Sequence, residues 1–326
     1  MCMRNILLGA LLTTIVAGAA AQPASATKKP VTKKITVDKK GKPAKPATFS
    51  LENTLLWEIS GNNLSTPSFL FGTMHILCED DAKMSDSLRY AVESTKQVFF
   101  EIDMDNMMET MGALRYLNMN NNTKLSDLLT EDEYKKVKAY FTKNKTMLPL
   151  GSVERMKPYF VSALISESKF PCAAKGGMEQ VIMKEAKKDQ KPINGLETIK
   201  FQASVFDSIP YQRQAKDLVK MIDSVDANAD SSDSKLLDVY RSQDLNKMQE
   251  MTAGEPSMAD YIDLLLYNRN ANWVKQMPII MKDKPSLFAV GAGHLGGEKG
   301  VINLLRKAGY TLRPMRHRPG LESNSQ

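Results

Sequence analysis

Two segments near opposite ends of this chain repeat one pattern, and the pattern limits what the chain can fold into. Gly72-Thr73-Met74-His75 follows the apolar run Ser68-Phe69-Leu70-Phe71, and Gly291-Ala292-Gly293-His294 follows Ser286-Leu287-Phe288-Ala289-Val290. Each reads as buried strand, glycine, two residues, histidine. A glycine at the end of a buried strand lets the backbone turn sharply and approach a neighbour closely. The histidine then falls at the strand's carboxyl end, where open α/β sheets gather their ligands. The chain has only three histidines, and two of them stand in these motifs. One such motif alone more often marks a turn with a hydrogen-bonded histidine. Two distant copies exclude a local repeat and predict one site assembled from both ends of the fold, with Gly72, Gly291 and Gly293 as structural glycines.

The rest of the pattern agrees. Leu55–Ile59 and Ser68–Phe71 read as a hairpin across the turn Ser60-Gly61-Asn62-Asn63. Gln97–Asp103 and Pro192–Leu196 read as strands, as does Tyr310–Pro314 near the C-terminus. Between them the periodicity is helical over 84–96, 105–117, 131–144, 158–169, 175–188, 199–206, 210–225, 234–251 and 257–281, with a polar break at 227–233 and a further helix at 299–307. Strands at both ends around a long helical insertion predict an α/β fold, or α+β, with a central mixed sheet. Met107, Met108 and Met111 are expected to fill the core.

Residues 1–21 resemble a secretory signal peptide. Arg4 supplies the positive start, Ile6–Gly18 the apolar run, and Ala19-Ala20-Ala21 a small-residue cleavage site. The expected product is exported, to the periplasm or beyond. Residues 22–50 read as a disordered linker rich in lysine and proline. That linker carries eight lysines against Asp38, a net +7, and Arg4 adds one more. Since the whole chain is +7, residues 51–326 stand at −1. The basic character belongs to the linker, so nucleic-acid binding by the folded part loses its support. The linker offers a contact with an anionic surface, or serves as a solvated spacer. No segment after the signal is apolar enough to span a membrane. Residues 51–316 are long enough for one large domain, followed by a disordered tail at 317–326, and Arg316-His317-Arg318 reads as a frayed basic end. Cys78 and Cys172 are the two cysteines left after signal cleavage, an even pair that predicts a disulfide in an oxidising compartment.

The candidate chemistry rests on few residues. Glu101 closes a strand much as His75 and His294 do. Two imidazoles and a carboxylate suit Zn, Mn, Co or Fe with open positions for water and substrate. The same groups also suit metal-free general-base catalysis. Asp103 is a weaker substitute for Glu101. Glu197 lies at a strand-to-helix junction, where a carboxylate also complements the helix dipole. Arg269 suits a clamp on an anion or on Glu101, or a place on the surface.

Phe69–His75, Glu101-Ile102-Asp103, Gly195-Leu196-Glu197-Thr198 with Gln202, Arg269-Asn270 with Trp273, and Ala289–Leu295 together resemble the TraB/GumN family. That family is similar to the Tiki proteins, described as metal-dependent proteases, and is grouped with the ChaN-like and erythromycin-esterase-like folds. The resemblance covers roughly residues 51–316. It implies a hydrolytic site in which His75, Glu101 and His294 are metal ligands or bases, and Glu197 and Arg269 are supporting groups. The leading expectation is metal-assisted hydrolysis, with a peptide bond as one target. The rival is a non-catalytic binding protein for a haem-like, pheromone-like peptide or polysaccharide ligand, and a haem titration by absorbance separates the two.

Overall fold

A computed structural model of the chain describes residues 51–318, apart from 145, 147, 171, 173–174, 227–231 and 255–258. The expected signal, the lysine-rich linker, most of the polar break and the end of the tail lie outside the described residues.

Among the described residues eight strands run in chain order: β1 (Leu56–Gly61), β2 (Ser68–Thr73), β3 (Leu77–Cys78), β4 (Gln97–Ile102), β5 (Lys175–Gly176), β6 (Ile193–Glu197), β7 (Ser286–Gly291) and β8 (Tyr310–Met315). Six of them form a mixed sheet in the order β6-β4-β7-β2-β1-β8. β1 and β2 make the expected hairpin, with Leu56 opposite Phe71. Its turn uses Gly61, Asn62 and Asn63 at positive φ, the residue types that adopt that conformation most readily. β6, β4, β7 and β2 are mutually parallel, whereas β1 is antiparallel to both β2 and β8. The strand of the second histidine motif is thus inserted between β4 and the strand of the first. Phe69, Leu70, Phe71, Leu287, Phe288 and Val290 are buried, as continuous apolar strands covered on both faces must be. The fold is α/β, with sheet strands from both ends of the chain around a helical insertion.

The insertion builds a second apolar cluster. Val137, Phe160, Ile165, Ile199, Leu218 and Ile222 come from its helices, and Ile102 at the end of β4 joins them. The helical part therefore meets the sheet at the carboxyl end of β4, beside Glu101.

Three local expectations are corrected. Met107, Met108 and Met111 are 50%, 86% and 70% exposed. The helix Met107–Leu117 buries Ala113 and Leu117, and residues 107, 108 and 111 fall on other faces at 3.6 residues per turn. His317 is not frayed. It is buried, its Nδ1 lies 2.7 Å from Ser85 Oγ, and its ring packs edge-on against Phe71 at 5.0 Å. Finally, the segment expected to be helical from Lys175 opens as β5, which pairs with β3 before the helix Met178–Lys188 starts.

Cys78 and Cys172 are bonded, with Cα atoms 5.7 Å apart and a sequence separation of 94. A cross-link of this span restricts the unfolded chain and stabilises by about 4 kcal/mol in the chain-entropy model. Urea denaturation with and without reductant is expected to show a loss of roughly that size. Equal midpoints would mean that the bridge carries no stability.

Candidate active site

Four neighbouring parallel strands end at one edge of the sheet, and each delivers one polar group. Glu197 is the last residue of β6, and Glu101 is the penultimate residue of β4. His294 closes the short 3-10 turn after β7, and His75 lies two residues beyond β2. The carboxyl edge of parallel strands is where such sheets place their chemistry.

Arg269 ties the cluster together from the helix Asn268–Asp283. Its Nη2 donates to Glu101 Oε2 at 2.7 Å and to Glu197 Oε2 at 2.8 Å, while Nε donates to Glu197 Oε2 at 3.0 Å. Its Nη1 donates to Leu265 O at 3.1 Å and lies 3.4 Å from His294 Nε2. The preceding stretch, Asp263–Tyr267, is a π-turn, a feature frequent at functional sites. Gln202 Nε2 donates to Glu101 at 3.0 Å and to Glu197 at 3.3 Å, and Gly291 N–H donates to Glu101 Oε1 at 2.9 Å. A Cβ on Gly291 would lie 3.1 Å from that oxygen, so glycine is what lets the strand end reach the carboxylate. Gly72 is similarly tight, with Ala292 Cβ 3.1 Å from a Cβ built there, whereas Gly293 would meet only Thr252 at an ordinary 3.5 Å.

The two histidines are held differently. Asn270 Nδ2 donates to the backbone oxygens of His294 and Lys299, so its Oδ1 is the atom 2.6 Å from His294 Nδ1. His294 therefore carries its proton on Nδ1 and turns the Nε2 lone pair toward Arg269 and Glu101, the latter at 3.8 Å. Its ring also packs on Trp273. Burial pushes His294 down to about 3, so the imidazole is neutral at physiological pH. Burial also acts to lower His75, but the Glu179 carboxylate 2.6 Å from its Nδ1 outweighs this and raises it. Burial acts to raise Glu101, yet Arg269, His294, His75 and the Gly291 N–H hold it down at about 2. Burial opposes the charge on Arg269, and the two carboxylates more than restore it.

Of the groups expected from sequence, Glu101, His294, Glu197 and Arg269 are in direct contact, and His75 lies within their electrostatic reach. Arg269 is drawn inward rather than lying on the surface, its side chain only 11% exposed. Glu197 bonds Arg269, leaving Thr198 to cap the next helix. Asp103 turns away to accept from Asp105 N–H and Asn106 N–H. Sequence reasoning missed Glu179. Its one signal is the Gly176-Gly177 pair before the helix, which marks a place where backbones come close. Four buried polar atoms beside the cluster have no hydrogen bond: Thr73 Oγ1, Gln202 Oε1, Trp273 Nε1 and Glu179 Oε1, the last held only by its ion-pair contact with His75.

A buried cluster of this kind at the carboxyl edge of an α/β sheet defines a site built for polar chemistry rather than for packing. The profile of the TraB/PrgY/gumN family matches residues 55–314, and the chain belongs to that family. Among similar curated proteins, "Metalloprotease TIKI2" of Danio rerio is 21% identical over 82% of this chain and 62% of its own length. "Metalloprotease TIKI1" of Homo sapiens is 25% identical over 79% and 61%. "Metalloprotease TIKI homolog" of Amphimedon queenslandica is 23% identical over 80% and 61%. The chain spans about three fifths of the length of these relatives. No solved structure matches it.

The relatives' names imply a metal, and the donors here can be tested for one. Among the described residues no group of three or more histidine, cysteine, aspartate or glutamate side chains is arranged to hold an ion. Arg269 is the reason. It takes the facing oxygens of Glu101 and Glu197 and lies against His294 Nε2, and His75 turns its Nδ1 to Glu179. The three-donor centre expected of His75, Glu101 and His294 is not formed in this arrangement. A guanidinium stands where a cation would be shared.

Proposed function

We propose that this chain is an exported hydrolase that cleaves an amide bond of a peptide-like substrate by transfer of its acyl group to water. The observation that carries this reading is the opposite treatment of two histidines at one sheet edge. His294 is tied at Nδ1 to Asn270 Oδ1 at 2.6 Å, leaving its Nε2 lone pair free, whereas His75 faces the Glu179 carboxylate at 2.6 Å, which favours its protonated form. Titratable groups driven apart in this way mark the base and the acid of a reaction.

His294 accepts the proton of the attacking water at Nε2. The imidazolium so formed lies 3.8 Å from Glu101, which stabilises it. Arg269, held by Glu101 and Glu197, places a fixed positive charge beside the carbonyl oxygen as it gains negative charge. His75 returns a proton to the leaving amine. The unpaired Thr73, Gln202 and Trp273 atoms supply polar contacts for the substrate. Export agrees with the disulfide, and among the described residues no helix is long and apolar enough to cross a membrane. N-terminal sequencing of the native protein is expected to begin at Gln22.

Purified protein incubated with denatured casein is expected to release peptides detectable by mass spectrometry. His75→Ala and His294→Ala are each expected to reduce the rate by about 10²–10⁴-fold, the usual contribution of an acid–base group, with circular dichroism unchanged. Full activity in either folded variant would leave the paired histidines a structural role only.

A further inference from the structure

The feature that the mechanism leaves unexplained is how His75 is aimed. His75 lies in the loop between β2 and β3, without a helix or strand of its own. Yet that loop is tied to the helix Met178–Lys188 at several points. Met178 N–H donates to Met74 O at 3.2 Å, β3 pairs with β5 just before the helix, and Cys78 is bonded to Cys172. On the other side, the buried Tyr240 hydroxyl donates to Gly72 O at 3.1 Å. The approach is so close that a Cβ on Gly177 would lie 2.5 Å from His75 O and 2.5 Å from Glu179 Oε2. The product of all these ties is one contact, Glu179 Oε1 at 2.6 Å from His75 Nδ1, with both side chains at least nine-tenths buried. Among the described residues no lysine or arginine pairs with Glu179. A buried carboxylate is costly to keep unless its partner is fixed, so the surrounding architecture serves this pair.

We infer that Glu179 is a positioning residue for His75: its buried carboxylate, in ion-pair contact with Nδ1, keeps the proton on that nitrogen and leaves Nε2 as the free edge of the ring. The inference rests on the hydrolase reading only for its purpose, since the geometry stands without it. A carboxylate behind a histidine sets tautomer and orientation in the same way wherever the other ring nitrogen does the chemistry.

The test is imidazole NMR on protein labelled with 15N-histidine, with His75 assigned by the signal lost in His75→Gln. At alkaline pH, wild type is expected to show His75 as one tautomer with a slowly exchanging Nδ1–H. Glu179→Leu is expected to lose that proton signal and mix the tautomers. Glu179→Gln, whose amide oxygen accepts the same bond, is expected to keep one tautomer. His294, fixed by Asn270, is expected to be unchanged in both. An unaltered His75 in folded Glu179→Leu overturns the inference. Should that variant not fold, wild type decides: a nuclear Overhauser contact from Nδ1–H to the Glu179 side chain supports it, and no such contact overturns it. In the casein assay, Glu179→Leu is expected to lower kcat by about 10–100-fold at unchanged KM, with Glu179→Gln restoring most of it. Failure of wild type to hydrolyse casein would count against the proposed reaction while leaving the NMR result in force.

Discussion

Arg269→Met is expected to destabilise the protein by roughly 3–5 kcal/mol, the usual effect of removing one partner from a buried ion pair. The loss is large because two carboxylates depend on the one guanidinium. Glu101 and Glu197 would remain buried, facing each other across Gln202 with no cation between them. The contribution of Glu101 to the pH response should also change sign. In wild type Glu101 is held down at about 2, below its ordinary 4.5. Its contribution is therefore complete above pH 4.5 and lost as pH falls toward 2. Without Arg269 the same burial favours the protonated acid, so this contribution reverses and the variant's deficit relative to wild type should narrow as pH falls from neutral toward 5. Urea denaturation at several pH values reads both effects. A variant as stable as wild type would mean that the arginine is not what balances the pair. The same substitution opens the shared position to other cations. Co²⁺ or Mn²⁺ is expected to raise the melting temperature of Arg269→Met more than that of wild type. A wild-type response that disappears in Glu101→Gln would instead show that the arginine yields its place to an ion.

The second large effect concerns acid. Unfolding below neutral pH is expected to become easier by about 1.4 kcal/mol per pH unit for each histidine buried in the neutral form, and there are two. Burial depresses His294 to about 3 and His317 to about 4. An unfolded chain takes up these protons near 6.5, whereas the folded protein refuses them until much lower pH. More protons on the unfolded side means that stability rises with pH. The contribution is therefore full above pH 6.5 and falls steadily below it, toward 4 for His317 and 3 for His294. Glu101 adds to the same trend below 4.5. His75 opposes it: its value is raised, so its contribution is full below 6.5 and fades as pH rises past its folded value. Stability should peak near neutrality. Denaturation midpoints measured between pH 5 and 8 test this, and His317→Gln should remove about half of the acid slope. A flat profile from pH 5 to 6.5 would contradict neutral burial of both rings.

Much of this site was legible because its strongest signals are backbone signals. A strand, a glycine and a histidine keep their spacing wherever the fold puts them, so His75 and His294 were readable, and Glu101 and Glu197 followed from strand ends. What sequence could not give was partnership. Arg269 sits in a helix with polar neighbours, and only the π-turn before it and the two carboxylates across from it explain why it is drawn inward. The three methionines show the converse error. Apolar residues at helical positions read as core, but a stripe containing Ala113 and Leu117 took that role. His317 looked like part of a basic end because burial there comes from Phe71 and Ser85, both more than 230 residues earlier. Glu179 was missed for the same reason: beyond the glycine pair before it, its meaning lies in a loop about 100 residues upstream.

The placement of β7 has a consequence for how the chain comes into being. Its partners in β2 stand 218 residues earlier, and it also separates β2 from β4. Without residues 286–291 the sheet would lack the strand that joins β2 and β1 to β4 and β6. Glu101 and Glu197 lie on one side of that gap and His75 on the other, so β7 is what brings all three to one edge. Closure by a central, late-made strand pairing over such distances is slow. The cluster is therefore completed in one event, when the last parallel strand fills the gap between β2 and β4.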